Sequence, residues 1–102
     1  MKGFKKKRFE IESLSRSYIE SKRIIRESEE NVINPGFGKL DRCLKIVRHI
    51  ENVVDCLEEN DQFIIRKEVI EGKRGNWYLE YYSSTSYYRL RDKAYDNFLR
   101  CL

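Results

Sequence analysis

Ser83-Ser84-Thr85-Ser86-Tyr87-Tyr88-Arg89-Leu90-Arg91-Asp92-Lys93-Ala94 is the stretch that decides how this chain reads. A run of small hydroxyl residues marks a helix start, because their oxygens accept hydrogen bonds from the unpaired N–H groups of the first turn. Apolar residues then recur at Tyr87, Leu90, Ala94 and Phe98, three and four apart, so they line one face of a helix that runs nearly to Leu102. The opposite face carries Thr85, Tyr88, Arg89 and Asp92. Just upstream, Asn76 caps a short helix through Tyr82. Two helices joined in this way suit a helix-turn-helix, whose second helix enters a DNA major groove.

The same reasoning extends towards the N-terminus. Gly72-Lys73-Arg74-Gly75 ends the preceding helix, with Gly72 suited to the position just past its last turn. That helix spans Gln62 to about Glu71, is capped by Asn60-Asp61, and owes a broad apolar face to Phe63, Ile64, Ile65, Val69 and Ile70. Before it, roughly Lys39 to Glu58, the residues Leu40, Cys43, Val47, Ile50, Val54 and Leu57 form a heptad-like seam. Asn34-Pro35-Gly36-Phe37-Gly38 is the clearest break, since Pro stops a helix and Gly accepts positive φ. The first helix begins near Phe9 and ends near Glu30, with Ile11, Leu14, Tyr18, Ser21 and Ile25 on one stripe.

Residues 1–8 read as a disordered basic arm, residues 9–58 as an antiparallel helical hairpin, and residues 60–102 as a three-helix DNA-binding unit. The fold class is all-α. The seam has two readings. It packs on the stripe of the first helix, or it builds a homodimer; a hairpin that dimerises through a second face would reconcile them.

Charged residues make up 37% of the chain, so every element has a solvated face. The net charge of +4 is unevenly spread: Lys2, Lys5, Lys6, Lys7 and Arg8 meet no acid within residues 1–8, whereas the middle of the chain is acidic. Basic ends suit a polyanion. Cys43, Cys56, Cys101 and the single His49 lack the spacing of a zinc site, so no metal or other cofactor is expected, and the thiols read as reduced in a cytoplasmic protein. No apolar run is long enough to cross a membrane, and no apolar stretch follows the basic start as a secretory signal requires. The chain has no Gly-rich phosphate loop and no activated His, so it does not read as an enzyme.

Ser83-x-x-x-Tyr87-Tyr88-Arg89-x-x-x-x-Ala94-x-x-x-Phe98 resembles the end of the ArpU-type regulators of phage late genes and autolysins, which share the helix-turn-helix of sigma-factor region 4. The block from Asn76 to Arg89, with Phe98-Leu99-Arg100-Cys101-Leu102, is similar to a family of small mycoplasma-type sigma-like proteins. The resemblance covers about residues 55–102. It implies a sigma region 4-like unit that binds duplex DNA in the service of transcription, with RNA polymerase as a further partner. In that pattern Ser83 caps the recognition helix, Ser84, Thr85, Tyr88 and Arg89 face the groove, and Tyr87, Leu90 and Ala94 pack inward. The chain departs from the pattern at Glu80, where a Leu is usual.

Residue by residue, Arg89 is the candidate for base readout, because its planar fork bonds two guanine acceptors together. Ser84 and Thr85 suit phosphate oxygens at a helix N-terminus, and Tyr88 suits a thymine methyl or a phosphate. Lys73 and Arg74 precede the motif, and Arg91 and Lys93 flank the helix, all four as candidates for backbone phosphate contacts. The competing reading is a non-catalytic protein–protein interaction module, which would use the seam of residues 40–57 as its working surface.

Overall fold

A computed structural model describes residues 2–30, 34, 36 and 38–102 of the chain, residues 2–4 by backbone alone. Pro35 and Phe37 of the expected break lie outside the described residues. The chain is all-α, and the described residues contain no strand. Helix α1 spans Lys2–Glu29, so it starts well before Phe9, and the segment expected as a disordered arm is helical from Lys2 onward. Lys and Arg are good helix formers but sit unfavourably at a helix N-terminus. Acidic partners offset this. The Lys7 Nζ lies 2.7 Å from Asp92 and 2.8 Å from Asp96, and the Arg8 Nε lies 3.2 Å from Glu12 one turn on.

Helix α2 spans Lys39–Asp55 and is preceded by Gly38 at φ +80°, a conformation that favours glycine. Its seam faces the chain's own core: Cys43, Val47, Ile50 and Val54 are all buried, and Val53 joins them. α2 packs on α1. The Tyr18 hydroxyl donates to Glu51, and Lys22 lies 3.8 Å from the same carboxylate. Ile24 rather than Ile25 is the buried member of the last α1 turns.

Helix α3 spans Glu59–Ile65 and begins earlier than Asn60-Asp61 suggested, with the extended Glu58 as its leading residue. Asp61 is not a cap. Its carboxylate is buried in the first turn and accepts a hydrogen bond from the Asn97 amide at 2.7 Å. α3 runs on into a π turn, Arg66–Ile70, closed by the Glu71 N–H donating to the Arg66 carbonyl at 2.9 Å. The wider turn buries Glu68 and Val69 side by side, and the Val69 carbonyl accepts the Ser15 hydroxyl of α1 at 2.9 Å. Gly72, at φ +68°, then reverses the chain, and the Lys73 N–H reaches back to the Lys67 carbonyl at 2.9 Å.

A 3₁₀ turn, Trp77–Glu80, stands where a short helix through Tyr82 was expected. Ser83 caps helix α4, Ser84–Cys101, by accepting the Ser86 N–H at 3.3 Å. One hydrophobic cluster runs through the molecule. It joins Ile11 and Tyr18 of α1, Val47, Ile50 and Val54 of α2, Ile64 and Ile65 of α3, and Tyr87, Ala94 and Phe98 of α4. Each large apolar side chain fully removed from water contributes about 1.5–3 kcal/mol, so the N-terminal and C-terminal segments stabilise each other.

Candidate nucleic-acid interface

The orientation of α4 is set by the aromatic residues before it. Tyr78 is buried in the 3₁₀ turn and stacks on Tyr87, with ring centroids 3.9 Å apart and planes 3° from parallel. Trp77 meets Tyr87 edge-on at 5.5 Å. Tyr78 therefore does the inward packing, while Leu79, Glu80 and Tyr81 stay exposed.

Ser84, Thr85, Tyr88 and Arg89 are exposed along the N-terminal half of α4. Arg89 makes no ion pair with any described residue. The Tyr88 hydroxyl lies 3.2 Å from that of Tyr78, so its ring is held at the edge of the surface. Further along the same helix, Asp92 and Asp96 would repel a polyanion, but both are paired to Lys7. Hydrogen bonds to Asp92 and Asp96 push the Lys7 ammonium above its ordinary pKa, so it stays charged. The clasp lays the basic first turns of α1 beside α4, with Lys5, Lys6 and Arg8 exposed.

The remaining candidates divide. Lys73 is exposed in the loop after the π turn and forms no ion pair with a described residue. Arg74 is exposed but tied to the backbone: its Nη1 donates to the carbonyls of Glu68 at 2.8 Å and Lys73 at 2.7 Å. Arg91 lies over aromatic rings, its guanidinium 4.9 Å from Tyr88, 5.3 Å from Tyr87 and 5.7 Å from Tyr95. Those rings sit three or four residues away on the same helix, the spacing at which side chains meet. Lys93 pairs with Glu58 at 3.6 Å. The open surface thus brings Lys73, Ser84, Thr85, Tyr88 and Arg89 forward, whereas Arg74 is engaged by backbone carbonyls, Arg91 by aromatic rings and Lys93 by an ion pair with Glu58 at the start of α3.

Behind Tyr88 lies a cleft of about 360 Å³ that the sequence did not reveal. Arg8 and Glu12 of α1, Glu68 of the π turn, the loop from Lys73 to Trp77, and Arg91 and Tyr95 of α4 line it. Glu68 is its buried acid. Its carboxylate accepts the Tyr95 hydroxyl and, at 3.3 Å, the Trp77 indole N–H. Burial pushes the Glu68 carboxyl above its ordinary pKa, against the opposing pull of Tyr95, Arg91, Trp77 and Arg74. Burial, together with the neighbouring Glu68 charge, drives the Tyr95 hydroxyl far up. Nothing in the local sequence marked Glu68, which stands among the charged Arg66, Lys67 and Glu71.

Among the described residues no group of three or more His, Cys, Asp or Glu is placed to hold a metal ion, and no helix is long and apolar enough to cross a membrane. Comparison of the chain with family models, curated proteins and solved structures finds no match.

Proposed function

We propose that this chain is a small DNA-binding transcription regulator that reads duplex DNA with the N-terminal half of α4. The observation that carries the reading is the Lys7 clasp on Asp92 and Asp96. It sets a lysine against the two acids of α4 and holds the basic first turns of α1 beside the helix that carries the exposed Thr85, Tyr88 and Arg89. Phosphate contacts from Lys5, Lys6, Arg8 and Lys73 would supply affinity that falls with salt, and Arg89 would supply base discrimination of about 1–3 kcal/mol. The sigma-like resemblance makes RNA polymerase the first protein partner to test, and such a regulator works in the cytoplasm.

The competing interaction module loses the surface assigned to it, because Cys43, Val47, Ile50 and Val54 are buried against the chain's own helices. A homodimer would likewise have to use other residues of α2, such as the exposed Leu44 and Ile46.

The test is a mobility shift with genomic duplex fragments, at low and at moderate salt, for the wild type and Arg89→Ala. Sequence-selective retention at moderate salt that Arg89→Ala loses is the expected result. Absence of binding to any duplex at low salt would overturn the proposal.

A further inference from the structure

We infer that the cleft between α1, the π turn and α4 is a binding site for a free nucleoside monophosphate. It borders the surface proposed for duplex DNA and shares Arg8, Lys73 and Tyr88 with it, but the inference does not need the DNA-reading role. A volume of about 360 Å³ falls within the range of small-ligand sites.

Charge selects the ligand class. Arg8, Lys73, Arg74 and Arg91 line the cleft, against the two carboxylates of Glu12 and Glu68. The excess is two positive charges, which suits a phosphomonoester, whose charge at neutral pH approaches −2. A phosphodiester linkage in a duplex brings only a single negative charge, and a duplex is too wide to enter a recess of this size.

The walls select the rest of the ligand. Trp77 and Tyr88 present aromatic rings to the space, and every nucleobase has a flat face that stacks on such rings. The cationic groups are also fixed in advance. Arg74 is held by two backbone carbonyls, and Arg91 by the rings of Tyr87, Tyr88 and Tyr95. Little side-chain freedom remains to be lost when a ligand enters. Lys73 is an exposed cation of the lining, within the same cleft. Because Arg8 belongs to α1 and Arg91 to α4, a bound nucleotide would bridge the two helices at the same end as the Lys7 clasp.

The experiment uses the fluorescence of Trp77, the single tryptophan of the chain, with calorimetry as a second readout. The full-length protein is titrated with AMP, CMP, GMP and UMP, with the matching nucleosides, and with inorganic phosphate. The expected result is saturable binding of at least one nucleoside monophosphate, weakened about tenfold or more both in the matching nucleoside and in Lys73→Glu. Arg8→Gln, on another element, should weaken it too, and Arg89→Ala, which lies outside the cleft, should leave it unchanged. Circular dichroism checks that each variant is folded. The inference is overturned by an absence of saturable response to all four nucleotides at millimolar concentration, or by undiminished binding in both cleft variants. Inorganic phosphate binding as tightly as the nucleotide would also overturn it, leaving a bare anion hole.

Discussion

The rings of Tyr78 and Tyr87 lie one over the other, 3.9 Å between centroids and 3° from parallel. This pair joins the 3₁₀ turn to α4 and decides the angle at which α4 leaves the core. It also places Tyr88, the next residue, at the boundary between the open surface and the cleft.

Tyr87 is 1% exposed, so its removal leaves a large void. Tyr87→Ala is expected to cost about 3–5 kcal/mol in urea unfolding. Tyr87→Phe keeps the ring and should cost less than about 1.5 kcal/mol. Similar losses in the two variants would mean that the hydroxyl, and not the stack, holds the turn in place.

The Lys7 clasp gives a signature at high pH. The folded-state pKa of Lys7 is raised above 10.5, so its contribution to stability is complete below that value and fades as pH rises through the folded pKa. From neutral pH up to 10.5 the stability difference between wild type and Lys7→Gln should be constant, and above that it should shrink. At neutral pH, Lys7→Gln should speed amide hydrogen exchange in the first turns of α1 and leave α2 protected. Unchanged exchange there would show that α1 holds its start without α4.

Glu68 titrates in another window. Its folded-state pKa is raised above 4.5 by burial, so the folded protein binds that proton more tightly than the unfolded chain does. The stabilisation from this proton is therefore full below 4.5 and is lost as pH rises through the folded value. Glu68→Gln is permanently neutral. Denaturant titrations across pH should show wild type losing stability relative to Glu68→Gln as pH rises through this window. A pH-independent difference between the two proteins would contradict this account of the buried acid.

Gly72 sits at φ +68°, and a Cβ built there would lie 2.8 Å from the Ile19 Cδ1. The tip of the Ile19 side chain is free to move, so most of the cost comes from the backbone. Gly72→Ala is expected to destabilise by about 1–2 kcal/mol. Chemical denaturation measures it, and a neutral outcome would mean that the loop relaxes out of the left-handed conformation.

Helix faces were legible because each is a local period. Tyr87, Ala94 and Phe98 pack inward as their spacing said, Cys43, Val47, Ile50 and Val54 do the same, and Ser83 and Gly72 serve as the caps their chemistry suits. The start of α1 was not legible, because the acids that hold Lys7 are at the other end of the chain. The π turn has no sequence period of its own. Arg91 had a readable clue in Tyr87, Tyr88 and Tyr95 at helical spacing, yet its charge pointed to solvent. The cleft draws on Arg8, Glu68, Lys73 and Arg91, residues that only the packing of three elements brings together.

The continuous apolar cluster bears on any attempt to cut the chain. Severing it near Glu58 would strip Ile11, Tyr18, Val47 and Val54 from their neighbours Ile64 and Phe98. Each fragment would then present a naked apolar flank to water and tend to aggregate. The last helix consequently depends on the rest of the chain: transplanted without α1 and α2 it loses both its packing support and the lysine that pairs with Asp92 and Asp96. A cluster shared by all four helices leaves no seam along which the chain could come apart in stages.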